Sequence, residues 1–166
     1  NSHIYKDVKI RSSYIQDSIV KDKCNIGPFS HIRVNSVVEA NCRIGNFVEI
    51  KNSTIGENSK CAHLSYVGDA IIGKKCNIGC GVVFCNYDGE KKYRTTVGDD
   101  CFIGSNTNII APIKISDRAY IAAGSTINKD IASGEFAIAR ARQENKNNFN
   151  NPYIKNLANK KSDSNN

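Results

Sequence analysis

Three histidines occur in this 166-residue sequence, His3, His31 and His63. His63 stands in Cys61-Ala62-His63-Leu64-Ser65-Tyr66, with Arg33, Lys51 and Tyr66 on neighbouring segments and Lys92 further on. Arg33 and Lys51 are separated by three steps of the six-residue repeat that runs through the chain. If three steps complete one turn of the fold, the two cations lie one above the other and form a phosphate clamp. Each charge-assisted contact to such a clamp contributes about 1 to 3 kcal/mol. The imidazole in this company is the candidate catalytic group, although spacing alone also leaves open a structural histidine on a solvated basic face. A zinc site would need three or four converging ligands. His3 lies outside the regular repeats, so no metal is expected.

The repeat itself fixes the turn length. Apolar residues fall every sixth position at Ile26, Ile32, Val38, Ile44 and Ile50, then at Ile55, Cys61 and Val67, then at Ile72, Ile78 and Phe84. The beat resumes at Val97 and runs through Ile103, Ile109, Ile115, Ile121 and Ile127. Helical faces repeat every three or four residues and simple strands every two, so a six-residue beat means a short strand and a turn. Three such hexads close a triangular coil, and stacked coils form a parallel β-helix in which each turn buries its apolar residues against its neighbours. The fold class expected is therefore all-β. Glycine often follows a beat, as at Gly27, Gly45 and Gly56, and is read here as supplying tight or positive-φ backbone. The gap from Phe84 to Val97 predicts a loop extruded at about 86–96, and loops on rigid bodies are where function concentrates.

Composition narrows the class. A net charge of +7 suits anionic ligands, though part of the excess sits at Lys155, Lys160 and Lys161. The basic residues are dispersed among the repeats rather than gathered on a helix, which argues against nucleic acid. Cys24, Cys42, Cys76 and Cys101 each fall four residues after a beat, in a slot elsewhere filled by small residues such as Ser30, Ser36 and Ser59. They read as packing residues rather than disulfides or metal ligands. No apolar run approaches the roughly 20 residues of a membrane span, and no basic-then-apolar leader precedes the repeats, so no membrane partner and a cytoplasmic location are expected. The chain opens on Asn1 and enters the pattern almost at once, which suggests a piece of something longer. The expected organisation is a β-helix over 1–132, a C-terminal arm over 133–157 and a disordered tail over 158–166.

Four stretches carry a more specific signal: Ile26-Gly-Pro-Phe-Ser-His-Ile-Arg33, Gly45-Asn-Phe-Val-Glu-Ile-Lys51, Ala62-His-Leu-Ser-Tyr-Val-Gly-Asp69, and Asn77-Ile-Gly-Cys-Gly81 followed by Cys85-Asn-Tyr-Asp-Gly89. In this order they resemble the C-terminal acetyltransferase domain of the bacterial GlmU family, N-acetylglucosamine-1-phosphate uridyltransferase/glucosamine-1-phosphate acetyltransferase, from about Ser12 to Arg142. The resemblance implies a left-handed β-helix, a hand that periodicity does not give and that departs from the usual right-handed crossover. It also implies a homotrimer with active sites between subunits. Position by position it implies His63 as general base and Arg33 and Lys51 as phosphate and sugar ligands. It further implies Tyr66 and Asn77 on the sugar, Lys92 assisting, and Glu49 as the carboxylate that orients the imidazole. For acetyl-CoA as co-substrate it implies Cys80, Asn86, Tyr87, Ser105, Ala123 and Arg140. At Cys80 the family usually carries Ala, which puts a thiol near a thioester.

The implied chemistry suits these residue types. The amine of glucosamine 1-phosphate must lose a proton before attacking the thioester carbonyl, and an imidazole titrating near neutral pH accepts it. Backbone N–H groups or the Asn86 amide are expected to steady the oxyanion. The uridyltransferase half of the family opens on a Leu-Ala-Ala-Gly nucleotide-binding run that is missing here, so this piece is not expected to use UTP. Two other readings fit the repeat: a hexapeptide acyltransferase with a different amino acceptor, and a non-catalytic trimerisation module. The stacked cations favour a phosphate-bearing acceptor over serine. The scaffold reading leaves His63, Lys92 and the Asn86 loop without a purpose.

Overall fold

An apolar residue every sixth position puts one inward side chain into each short strand, and the strands then stack turn upon turn. The computed structural model describes residues 1–147 and 149–153; the expected tail at 158–166 lies outside the described residues. Within them, short strands form three sheets of seven, eight and seven strands, paired in parallel. The result is a left-handed parallel β-helix of about eight turns. Partners across a sheet come from successive turns, as where Glu49 lies opposite both His31 and Tyr66.

Each sheet contributes one inward column. In one, Ile26 faces Ile44, Cys61 follows, and then come Ile78, Ile103 and Ile121. In the next, Val20, Val38, Ile55, Ile72, Val97 and Ile115 stand in register. These side chains are buried almost completely, and each Val or Ile so buried stabilises the fold by about 1.5 to 3 kcal/mol. A thin core thus becomes continuous because every inward residue meets its counterpart one turn away.

The corners work differently from the sequence expectation in two respects. First, the left-handed backbone falls mainly on the residue before the small slot: Lys23, Phe29, Asn41, Phe47, Asn58 and Leu64 all have φ between 48° and 61°. Second, the small slot is a donor as well as a spacer. Ser30 Oγ donates to the Gly45 carbonyl at 2.6 Å and Ser59 Oγ to that of Gly73 at 2.8 Å. The thiols substitute for these hydroxyls, with Cys42 Sγ 3.1 Å from the Gly56 oxygen and Cys76 Sγ 3.0 Å from the Gly98 oxygen. A buried carbonyl at each corner is thereby satisfied, which explains why Ser and Cys interchange there.

Most glycines after a beat serve proximity rather than positive φ. A Cβ on Gly45 would stand 1.9 Å from the Ala62 carbonyl oxygen, so only glycine lets the strand Arg43–Asn46 lie against Lys60–His63. Among the described residues the rhythm is interrupted by one long excursion. Ile71 is opposite Thr96, further along the chain than one ordinary turn reaches, and the excess leaves as a loop between Val83–Cys85 and Thr95–Val97. A short antiparallel bridge from Tyr87 to Lys92 closes the loop. At the other end the strand Phe136–Ala137 pairs with Tyr120–Ile121, so the ladder takes in part of the segment read as an arm. Among the described residues no helix is long and apolar enough to cross a membrane.

Gly45→Ala should cost about 1 to 3 kcal/mol of stability through this backbone collision, measured by chemical denaturation. A midpoint equal to that of the parent chain would contradict the close approach.

Candidate active site

One sheet assembles the cations. Ile32 lies opposite Ile50, and the next residue along, Arg33, donates its backbone N–H to the Ile50 carbonyl at 2.7 Å. This sets Arg33 beside Lys51 on the adjoining turn, as their spacing in sequence requires. Lys51 in turn lies opposite Gly68, whose missing side chain makes room for Tyr66. A Cβ at Gly68 would stand 2.4 Å from the Tyr66 hydroxyl oxygen, so the phenol folds back along its own strand.

Two carboxylates serve these cations. Glu49 Oε1 accepts from Arg33 Nη1 at 2.7 Å, and this contact raises the guanidinium pKa further above its ordinary value. Asp69 lies at a corner, 7% exposed, and its Oδ2 is 3.5 Å from Lys51 Nζ. The Asn52 amide donates to Asp69 Oδ1 at 2.5 Å and the Asn86 amide to Oδ2. Burial alone would raise the Asp69 pKa, but the two amide donors and then Lys51 outweigh it and hold the carboxyl below its usual range. Lys92 comes in from the loop. Its ammonium pKa is lowered, first by side-chain contact with Lys51 and by that residue's charge. Three cations therefore share two carboxylates, a surplus suited to an anion.

His63 ends the strand Lys60–His63 and turns out at the next corner, away from this wall. It lies opposite Asn46, and its Nδ1 is 2.7 Å from Asn46 Oδ1. An amide oxygen only accepts, so Nδ1 carries a hydrogen, and in the neutral ring Nε2 is the nitrogen with the free lone pair. Within this chain Glu49, expected to orient the imidazole, has its carboxylate taken by Arg33, and the ring is met by an amide one turn below. Asn86 is engaged in the same way. It is 7% exposed with its amide committed to Asp69, so within this chain it anchors the loop rather than facing an oxyanion.

Above His63 the same corner continues upward. Gly81 N–H donates to the His63 carbonyl, Asn106 N–H to that of Cys80, and Gly124 N–H to that of Ser105. His63, Cys80, Ser105 and Ala123 thus rise in one column, with Arg140 reaching its top, where its Cδ is 3.9 Å from a Cβ built on Gly124. Asn77 is opposite Lys60 on the sheet that carries His63, and Tyr87 is exposed on the loop. The structure therefore gathers the candidates into two groups: a cation wall of Arg33, Lys51, Tyr66 and Lys92, and a corner column that rises from His63. Among the described residues no cluster of His, Cys, Asp and Glu is arranged to hold a metal.

Comparison with known proteins bears on both groups. Residues 14–87 match the family model described as GMPPB C-terminal domain, and 94–129 match that of the bacterial transferase hexapeptide, six repeats. The unmatched interval between them is part of the extruded loop. A bifunctional protein GlmU of Clostridium perfringens is 54% identical over 145 residues, 87% of this chain and 32% of that protein. One from Caldicellulosiruptor saccharolyticus is 53% identical over 146 residues, 88% of this chain and 32% of that protein. The chain matches the C-terminal acetyltransferase domain of GlmU. It spans about a third of the length of these relatives. A solved structure of GDP-perosamine N-acetyl transferase from Caulobacter crescentus, in complex with CoA and GDP-perosamine, superposes with a TM-score of 0.63 at 19% identity. It covers 70% of this chain and 53% of that one, and the likeness is one of fold.

Sequence reasoning misses Asn46, Asn52 and Asp69. Asn46 is within its reach once the five-residue step from Ile50 to Ile55 is counted, since that step shortens the turn that ends at His63. Asn52 and Asp69 sit where the beat shortens from six residues to five, a signal that by itself indicates no more than an irregular corner.

Because the Asp69 pKa is depressed in the fold, its contribution is complete above about pH 5 and lost as pH falls below about 4, through the folded value. The stability difference between the parent chain and Asp69→Asn should therefore be constant from pH 7 to 5 and shrink towards pH 3, followed by urea unfolding. A difference that holds or grows on acidification would remove the Asp69 carboxylate from this account.

Proposed function

We propose that this chain is an acetyltransferase that moves the acetyl group of acetyl-CoA to the amine of glucosamine 1-phosphate. The product is N-acetylglucosamine 1-phosphate, a precursor of UDP-N-acetylglucosamine and so of peptidoglycan. The observation that carries the reading is His63, its Nδ1 tied to Asn46, at the foot of a corner column that contains the residues expected to hold acetyl-CoA. Identity of 54% and 53% with two proteins named GlmU supports the substrate pair. The longer protein then also carries a uridyltransferase domain, and the whole acts in the cytoplasm.

The steps follow from the side chains. Arg33, Lys51 and Lys92 take the sugar phosphate, with Tyr66 and Asn77 against the ring. Acetyl-CoA lies along Cys80, Ser105, Ala123 and Arg140, with Asn86 and Tyr87 at the base of the loop. Nε2 of His63 accepts a proton from the amine, the nitrogen attacks the thioester carbonyl, and the C–S bond breaks as the tetrahedral adduct collapses. The departing thiolate takes the proton back from the imidazolium, so no acyl-enzyme forms.

Within one chain the cation wall and the imidazole occupy different faces. We place them together by a homotrimer in which the wall of one protomer faces the His63 corner of the next. Exposed Phe29 and Phe47, stacked at 5.6 Å beside that corner, support burial there. The segment read as an arm from 133 onward joins this chain's own ladder at Phe136–Ala137, which holds Arg140 at the top of the His63 column.

A thiol-release assay tests the reading, with acetyl-CoA as donor and glucosamine 1-phosphate, glucosamine, serine or a UDP-amino sugar as acceptor. Turnover is expected with glucosamine 1-phosphate alone, and His63→Ala should lose about 100- to 10,000-fold at unchanged solution mass. Arg33→Ala should act chiefly on the KM for the sugar phosphate. Near-normal turnover in His63→Ala, or preference for another acceptor, would overturn the proposal.

A further inference from the structure

The cavity beside the imidazole is not lined by the cations that the sequence singles out. It measures about 200 Å³, and its basic residues are Arg11 and Arg43, joined by Asn25, Asn46 and His63 over a floor that includes Gly45. The volume equals that of several water molecules at about 30 Å³ each, enough space for a phosphate group. No acidic side chain lines it.

Two observations separate this pair from the cation wall. Arg33 and Lys51 each have a carboxylate within 4.0 Å, whereas among the described residues neither Arg11 nor Arg43 has one. The outward row of the same sheet, read turn by turn, is Lys9, Asn25, Arg43, Lys60 and Asn77, a row without a negative charge. Guanidinium groups keep their charge at any working pH and match a phosphate edge with two parallel N–H donors. Their like charges, uncompensated around one concavity, favour an anion between them.

We propose that Arg11 and Arg43 form a second anion subsite, which takes a phosphate group of a small-molecule ligand beside His63. Within one chain the subsite is separate from the cation wall, and it stands on binding, not on the acetyl-transfer reading. Asn46 links it to the imidazole: its Oδ1 holds Nδ1, and the residue lines the cavity. Occupancy of the subsite therefore registers at the His63 ring.

The test is a titration of the full chain with inorganic phosphate at constant ionic strength, reading the ring resonances of the three histidines by NMR, with His63 assigned by His63→Gln. The expected result is a saturable shift of His63 with His3 unmoved. Arg11→Gln and Arg43→Gln should each weaken binding about tenfold or more, Arg43→Lys should retain part of it, and Arg33→Gln should leave the His63 shift in place. Circular dichroism and solution mass verify that each variant is folded. Titrations with glucosamine 1-phosphate and with a nucleoside monophosphate, run on Arg33→Gln, distinguish a sugar phosphate from a nucleotide as the source. No saturable shift at His63, or a shift that disappears in Arg33→Gln and persists in Arg43→Gln, would overturn the subsite. Either result leaves the acetyl-transfer reading to its own assay.

Discussion

The constraint on which this molecule rests is the fixed distance between successive turns. Parallel strands hydrogen-bond at about 4.8 Å, and a coil of three short strands must return to that distance on all three sides at once. Inward columns, glycines under carbonyls and hydroxyl or thiol donors at corners are three answers to it. Cys24, Cys42, Cys76 and Cys101 show how one side chain meets two demands. A thiol of the right size fills the slot, and its S–H satisfies a carbonyl that a larger side chain would bury unpaired. A solenoid built this way has little stability to spare within a turn, because each turn packs only on its neighbours.

The same repeat is what aligns the candidate site. Stacking at strand distance converts residues one turn apart in sequence into neighbours in space, so Arg33 meets Lys51 and His63 meets Asn46 without any dedicated scaffold. It also separates what does not share a side of the prism. Arg33, Lys51 and Tyr66 belong to one sheet, His63 and Asn77 to the next, and a rigid prism cannot bend to bring them together. A catalytic arrangement using both groups therefore requires a second copy, which is the physical ground for the trimer proposed above.

Much of this is legible in the sequence because a period of six is a strong constraint. Coil shape, core residues and the pairing of Arg33 with Lys51 all follow from counting. What counting does not give are the choices made by flexible side chains. Glu49 can reach more than one partner, and a guanidinium on the adjacent turn offers a charge-assisted contact that an imidazole around the corner does not. Asn86 follows a beat at the root of the loop, and its position alone does not disclose that its amide turns inward to a buried carboxylate. The glycines stand out in the sequence for a property most of them do not use: left-handed backbone falls on residues such as Phe47 and Leu64, while Gly45 is required for lack of space.

The loop brings these threads together. Letting the chain leave the solenoid for a few residues costs little in closure entropy, which grows only with the logarithm of length, but a free loop would not hold Lys92 near two other cations. The Asn86 amide on Asp69 fixes one root of the excursion, the Tyr93 N–H on the Asn86 carbonyl at 2.8 Å fixes the other, and the Tyr87–Lys92 bridge stiffens what lies between. Lys92 is thereby held against Lys51, and the lowered pKa of its ammonium records the repulsion. That repulsion is relieved when an anion arrives, so part of the work of bringing the charges together is done by the folded chain before any ligand binds. Asp69 is the joint of this arrangement: one buried carboxylate neutralises Lys51, takes both amides, and ties the irregular corner of the coil to the only long excursion among the described residues.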